Sequence, residues 1–301
     1  MTINSEHPPQ LQELAGPWAC EENSLRALAR KWATGEVGPA FAARGKGAAG
    51  ARSQGLPAGV AVLPLVGVIL PRNDWYGTSA QGFTGIVRGL ITDERVSAVV
   101  LDVHSPGGMV YGVPEAASAV RDLAAVKPVV AVANSLAASA AYWIASQARV
   151  VVGVPSSDVG SIGVYLVHTD VSEANRRSGV KVSVIKAGEN KAVGNPFEPL
   201  TDGGRASLQQ SVDDLYDLFV GDVAKGRRTS AAAVRSGYGQ GLSLGLHRAL
   251  AARLLDRAGT LEQEIARLVG GTEQPSTAGR SRAARDTIVR QRALLDLLEG
   301  C

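Results

Sequence analysis

From residue 58 onward, short β-branched runs alternate with segments of helical periodicity. The run AGVAVLPLVGVIL, broken by Pro64 and Gly67, predicts two short strands, and residues 79–92 then predict a helix. SAVVLDVHS predicts a strand before a helix in VYGVPEAASAVRDLAAV, and PVVAVAN predicts a strand before a helix in LAASAAYWIASQA. Strands that alternate with helices form βαβ units around a largely parallel sheet, so we predict an α/β fold. Ligands bind such sheets at the carboxyl ends of the strands.

The later part of the chain continues this order and becomes more helical. RVVVGVP and VKVSVIKAG predict two further strands, and residues 201–226 predict a long helix. The apolar stripe of this helix consists of Leu208, Val212, Leu215, Phe219 and Val223. TIVRQRALLDLLEG predicts a terminal amphipathic helix, which either mediates assembly or packs against the domain.

The pattern divides the chain into three parts. Residues 1–57 contain a predicted short helix, over residues 17–32, and a flexible Gly- and Ala-rich connection. Residues 58–262 form the α/β domain, and residues 263–301 form a C-terminal helical tail.

Charge and composition exclude several classes of function. The net charge of the 301 residues is +3, and lysines and arginines are spread along the chain, which disfavours binding to nucleic acid or an anionic membrane. The two cysteines, Cys20 and Cys301, predict no disulfide framework and have no metal-ligand neighbours. The N-terminus lacks the apolar stretch of a signal peptide, and no run is long enough to span a membrane. Phosphate-loop, GxGxxG and HExxH motifs are absent, so we predict no cofactor and no metal.

Three polar features fall where the βαβ order places the carboxyl ends of strands. SPGG ends one strand, Ser139 opens the helix after the next strand, and Lys191 lies in AGENKAVGNPF after a later one. Gly107 and Gly108 allow a sharp turn that exposes backbone N–H groups, which suits an oxyanion hole. Ser139 at a helix N-terminus gains the positive end of the helix dipole, which favours a developing alkoxide.

A serine nucleophile needs a base, and the base is open at this point. The chain has four histidines, which are His7, His104, His168 and His247. A lysine can serve if burial lowers its pKa from about 10.4 to about 7–8, a shift that costs about 4 kcal/mol. Each feature alone is more often structural, since serines in alanine-rich helices usually pack, loop lysines are usually solvated and PGG usually forms a turn.

Four ordered motifs together resemble one family. DVHSPGGMVYG, NSLAASAAYWIAS, DVGSIGVYLVHTDVS and GENKAVGNPFEPLT are similar to segments of the signal peptide peptidase A family of serine proteases. The resemblance is greatest to its phage-type branch, the capsid assembly or head maturation proteases, and runs from about residue 60 to 260. PWACEE and PLVGVILPR also look like phage-type segments. The resemblance implies a Clp/crotonase-type fold, a superhelix of βαβ units.

The resemblance also implies roles for particular residues. Ser139 would be the nucleophile, and Lys191, which lies in a G-x-x-K segment before Pro-Phe, would be the general base. Lys186 is the second choice for the base, because it lies inside a predicted strand. Ser161 of the GSIG motif would bond the lysine amine.

The oxyanion hole of the family would be formed by the N–H groups of Gly108 and Ala140. Ala140 and Ala141 stand where many relatives have glycine, so the cleft is expected to be narrower. His104 stands where relatives usually have Asp or Asn. A Ser–His mechanism through His104 is therefore an alternative, but we favour a strand-end histidine bonded to backbone. We expect His168 to make a local polar contact with Asp170.

These roles predict a serine endopeptidase that works through an acyl-enzyme and cleaves capsid scaffold or other phage head proteins. A substrate strand would lie along the sheet edge near residues 105–112. The resemblance implies a homo-oligomeric ring, and the missing leader favours the cytoplasm of a bacterial host.

Three alternatives remain open. They are a bacterial cytoplasmic signal-peptide-peptidase-like protease, a crotonase-like acyl-CoA enzyme and a non-catalytic assembly module. Lys191 and Ser161 would have no task in an acyl-CoA enzyme, and a vestigial site would not be expected to keep both Ser139 and Lys191.

Overall fold

The computed structural model describes residues 17–20, 59–72 and 77–270. The predicted connection before residue 58, most of the predicted helix over 17–32 and the predicted C-terminal amphipathic helix lie outside these residues. Within residues 17–20 the predicted helical start is wrong, because Trp18–Cys20 is a strand.

The order of elements follows the predicted alternation. The strands are β1 Trp18–Cys20, β2 Val60–Val66, β3 Val68–Leu70, β4 Gly77–Ser79, β5 Ala98–Ser105, β6 Gly107–Met109, β7 Val129–Ala138, β8 Val150–Gly153, β9 Asp158–Gly160, β10 Ser243–Gly245 and β11 Arg257–Ala258. The helices are α1 Ala80–Thr92, α2 Val113–Val126, α3 Ala140–Ala145, α4 Ser172–Arg177, α5 Asp202–Arg227, α6 Ala231–Gly237, α7 Leu246–Ala251 and α8 Leu261–Val269.

The larger sheet of the described chain is mostly parallel. Its strands run in the order β10-β9-β7-β5-β2, and β8 pairs with the first half of β7 and with β11. The pairs β2–β5, β5–β7 and β7–β9 are parallel, whereas β10 and β9 are antiparallel. Helices α1 and α2 connect successive parallel strands of βαβ units, so the predicted α/β fold class is confirmed.

Both faces of this sheet are covered, which explains the nearly continuous apolar strands in the sequence. Residues such as Val99 and Leu101 face a large core that includes side chains of α1, α2, α3 and α5. The alternate residues, such as Val100, face a smaller cluster with side chains of α8. Helix α8 crosses the predicted domain limit at residue 262, and that limit stays a prediction.

A second, four-stranded sheet has the order β1-β6-β3-β4. Gly67, at φ +76°, lies between β2 and β3 at the point where the chain passes from the larger sheet to this one. A positive φ at this corner favours glycine. Strand β6 lies between β1, which is antiparallel to it, and β3, which is parallel to it.

One predicted boundary and one predicted strand differ from the structure. Strand β7 continues to Ala138, so the helix predicted from residue 136 begins at Ala140. Residues 180–188 were predicted as a strand but form none, and the side chain of Ile185 is 96% exposed. The β-branched residues of this segment favour a strand, but a strand forms only against a partner, and the described chain pairs none with it.

None of the helices described above combines the length and the apolar character needed to cross a lipid bilayer.

Candidate active site

Ser139 lies at the sharp turn between β7 and α3, as the sequence predicted for a strand end. It is the N-cap residue of α3, and its φ of 56° and ψ of −121° are unusual for a residue with a side chain. The backbone N–H of Ser139 donates to the carbonyl of Gly160 at 2.7 Å, so the end of β9 holds this turn. Backbone strain of this kind persists only where the surroundings impose it, and it is concentrated at functional sites.

The hydroxyl of Ser139 is buried and has no hydrogen-bond partner within the described chain. The residue as a whole is 1% exposed. Leaving a buried hydroxyl unpaired costs about 1–3 kcal/mol, so such groups are rare and call for an explanation. The absence of a partner is explained if this hydroxyl is a nucleophile that must be free to contact a substrate and a base.

Helix α3, which begins directly after Ser139, is fixed by buried contacts of its aromatic side chains. The Tyr142 hydroxyl donates to the carbonyl of Leu254 at 2.8 Å, and burial raises the pKa of Tyr142, so this donor stays neutral. Trp143 Nε1 donates to Asp222 Oδ2 at 3.1 Å, and the Trp143 ring stacks on Phe219 with 4.3 Å between centroids. These contacts hold the helix and the turn before it in one position.

Gly107 lies against the residue that follows the nucleophile. At its φ of +94°, an added Cβ would lie 3.0 Å from both the Ala140 nitrogen and the Ala138 carbonyl oxygen. At Gly108, an added Cβ would lie 1.8 Å from the carbonyl oxygen of Ile69. Both glycines are therefore needed for close backbone contact, and the structure brings the SPGG segment to the Ser139 turn. The oxyanion roles of Gly108 and Ala140 stay predictions.

Ser161 also lies at this turn, directly after the Gly160 carbonyl that accepts from Ser139. Its φ is 51°, it is 9% exposed, and its N–H donates to the carbonyl of Leu242 at 3.1 Å. The structure thus brings Ser139, Ala140, Ser161 and the SPGG glycines together.

Lys191 makes no hydrogen bond to the residues at the Ser139 turn among the described residues. It lies in an irregular, exposed segment, where its N–H donates to the carbonyl of Gly188 at 3.2 Å. No hydrogen bond links its amine to Ser139 or Ser161, all three of which are described. Lys186, the second choice, is also exposed. The role of Lys191 as the base stays a prediction.

His104 is exposed at the end of β5. Its Nδ1 lies 3.1 Å from the Asn134 carbonyl oxygen and 2.8 Å from Ser135 Oγ. The favoured interpretation, a strand-end histidine that contacts backbone, agrees with this geometry. The His168 Nε2 atom lies 3.3 Å from the Asn195 carbonyl oxygen, while Asp170 accepts from the Ser172 N–H.

Asp222 was not found from the sequence, although it contacts the helix that Ser139 begins. It is 4% exposed and lies in α5 among other charged residues. From the sequence alone it is indistinguishable from an ordinary surface aspartate. Only the packing of α5 on α3 buries it, so no sequence signal identified it.

Sequence comparison with known proteins finds similar proteins in bacteriophages. The chain is 33% identical over 179 residues to capsid assembly protease C of Escherichia phage lambda, which covers 58% of this chain and 41% of that protein. It is 34% identical over 181 residues to head-tail preconnector protein GP5 of Enterobacteria phage P21, covering 58% of this chain and 36% of that protein. The matches therefore span less than half of either relative.

A solved structure, a variant of the 1510-N membrane-bound stomatin-specific protease, aligns with a TM-score of 0.44 at 12% identity, over 67% of this chain and 81% of that one. The sequence profile of peptidase family S49 matches residues 121–273 of the chain. This range is 153 of the 301 residues and includes Ser139, Ser161 and Lys191. Because this match covers half of the chain, the chain belongs to peptidase family S49, as the sequence motifs predicted.

Proposed function

We propose that this chain is a serine endopeptidase in which Ser139 is the nucleophile. The observation that carries the proposal is the buried, unpartnered Ser139 hydroxyl at a strained turn, next to the SPGG glycines. The Ser139 oxygen attacks the carbonyl carbon of a peptide bond and forms an ester with it. The amine leaves with a proton, and water then hydrolyses the ester. The N–H groups of Gly108 and Ala140 would stabilise the oxyanion.

Lys191 is proposed as the group that takes the proton from Ser139. A lysine acts as a base only when it is neutral, and burial favours the neutral form. Since Lys191 is exposed here, its segment must become covered before it can act. Ser161, at the same turn as Ser139, is proposed to orient the amine.

A homo-oligomer, proposed as a ring, would supply that cover. Residues 167–185, which precede Lys191 in the chain, expose the apolar side chains of Val167, Val180, Val182 and Ile185. Exposed apolar side chains are typical of interfaces between proteins where they adjoin one another in one patch. Mixing Ser139→Ala chains with Lys191→Ala chains would show whether the lysine acts on its own serine. Restored activity in the mixture would mean that it acts on a neighbour's serine.

The proposed substrates are polypeptides, and more narrowly scaffold or other head proteins of a phage, in the cytoplasm of a bacterial host. The name of the phage lambda relative supports this proposal. The Ser139 geometry applies equally to a signal-peptide-peptidase-like protease with other substrates. Identifying the proteins cut in phage head assembly reactions would separate these two possibilities.

The decisive experiment is cleavage of casein between pH 6 and 10 by the native chain, Ser139→Ala, Lys191→Ala and His104→Ala. We expect the first two variants to be inactive and His104→Ala to be active. If His104→Ala is inactive and Lys191→Ala is fully active, the general base is His104 and not Lys191. Hydrolysis of acyl-CoA thioesters without casein cleavage would support the acyl-CoA enzyme instead. A fluorophosphonate that fails to label Ser139 in the native chain would refute the nucleophile and favour an assembly module.

A further inference from the structure

Strand β1 occupies the edge of the smaller sheet beside the SPGG segment. It pairs antiparallel with β6, so that Trp18 lies opposite Met109, Ala19 opposite Gly108 and Cys20 opposite Gly107. The pairing continues beyond the strand, because the Val110 N–H donates to the carbonyl of Pro17 at 3.2 Å. Residues 17–20 are therefore held as an extended peptide along β6.

The Ala19 carbonyl lies close to the nucleophile turn. The position that a Cβ would take at Gly107 is 2.2 Å from the Ala19 oxygen and 3.0 Å from the Ala140 nitrogen. Those two atoms are therefore at most 5.2 Å apart, the sum of the two distances. Ala19 itself is completely buried. A residue of the N-terminal segment thus presents its carbonyl beside the N–H that follows Ser139.

An extended substrate would need the same place. Proteins bind extended peptides as an added strand on a sheet edge, where main-chain hydrogen bonds hold the peptide. The other side of β6 is already paired with β3, so the edge that β1 covers is the one left for a substrate next to Ser139. β1 and a substrate strand cannot occupy it together.

We propose that residues 17–20 occupy the substrate position of this site, with the Ala19 carbonyl in the place of the carbonyl that is attacked, and so compete with substrate. The inference rests on the proposed peptidase function. A substrate must displace β1 before it binds, so β1 raises the apparent KM and leaves kcat unchanged.

The test uses Ala19→Arg in the full chain, with Ala232→Arg as the matched control. A long charged side chain does not fit the completely buried position of Ala19, whereas Ala232 is exposed on α6. We expect an apparent KM for a casein-derived peptide about tenfold lower in Ala19→Arg, with unchanged kcat, which corresponds to about 1.4 kcal/mol. The rate of fluorophosphonate labelling of Ser139 should rise by a similar factor. The control should match the native chain.

A second measurement does not depend on how the variant folds. A synthetic peptide with the sequence of residues 16–22, GPWACEE, should inhibit casein cleavage by the native chain competitively. If the native chain and Ala19→Arg have equal KM values and equal labelling rates, and the peptide does not inhibit, the inference about β1 is wrong. Cleavage of casein in the same experiments would still support the proposed peptidase function. Absence of casein cleavage and of Ser139 labelling in every chain would refute both.

Discussion

Asp222→Ala tests how the fold holds the nucleophile helix in place. Asp222 accepts hydrogen bonds from Trp143 Nε1 at 3.1 Å, Lys225 Nζ at 3.0 Å and Arg121 Nη1 at 3.5 Å. Removing the carboxylate leaves the buried Trp143 N–H without a partner, which costs about 1–3 kcal/mol. Loss of the two ion pairs adds about 1 kcal/mol or less, because the Lys225 side chain is 62% exposed and Arg121 keeps its bond to Gln147. We therefore expect Asp222→Ala to lower the free energy of unfolding by about 1–4 kcal/mol.

Asp222→Asn is the matched variant, because it keeps an oxygen for the Trp143 N–H and loses only the charge. It should cost about 1 kcal/mol. Urea unfolding measures both values, and Trp143→Phe completes a double-mutant cycle, because phenylalanine retains a ring against Phe219 without the N–H. The cycle should give a coupling energy of about 1–2 kcal/mol between residues 143 and 222. Equal stabilities of Asp222→Ala and Asp222→Asn, or a coupling energy near zero, would refute the reasoning.

Two further predictions concern backbone contact and pH. Gly226→Ala should lower the free energy of unfolding by about 1–3 kcal/mol, because the new Cβ would lie 2.2 Å from the Ser146 carbonyl oxygen. Gly221→Ala in the same helix, with nothing within 4 Å of the new Cβ, should raise it by about 0.5–1 kcal/mol, and urea unfolding of the pair checks both signs. The hydrogen bonds from Arg95 lower the pKa of Asp93 from 3.8 to about 2, so Asp93 stabilises the fold above pH 3.8 and this contribution disappears as the pH falls through about 2. The melting temperature of Asp93→Asn should therefore lie below that of the native chain at pH 7 and approach it only below pH 2, where the folded carboxyl is protonated; a difference that is as large at about pH 1 as at pH 7 would contradict this assignment.

Much of the fold could be predicted from local patterns. The β-branched runs and helical periods correctly placed β2, β5, β7, β8 and the helices α1, α2 and α5, because these elements bury faces that the sequence itself makes apolar. Ser139 was placed at a strand end for the same reason. Family membership followed from ordered motifs, each of which was weak alone.

The predictions that failed depend on partners that are distant in the sequence. Residues 180–188 have strand-forming side chains, yet a strand needs a neighbour, and none in the described chain pairs with them. Trp18–Cys20 was predicted as part of a helix and instead pairs with β6, almost 90 residues later in the sequence. Local propensity is a weak term that hydrogen bonding to an available sheet edge overrides.

The sequence by itself therefore determined the α/β alternation, the family and the position of Ser139 at the end of a strand. Only the tertiary structure decided that the Ser139 hydroxyl is buried without a partner, that Asp222 is buried against Trp143 and that β1 covers the edge of β6. Periodicity depends only on residues that are close in the sequence, so it can be recognised without the structure. Burial, pairing and the cost of an unsatisfied polar group arise between residues that meet only when the chain is folded.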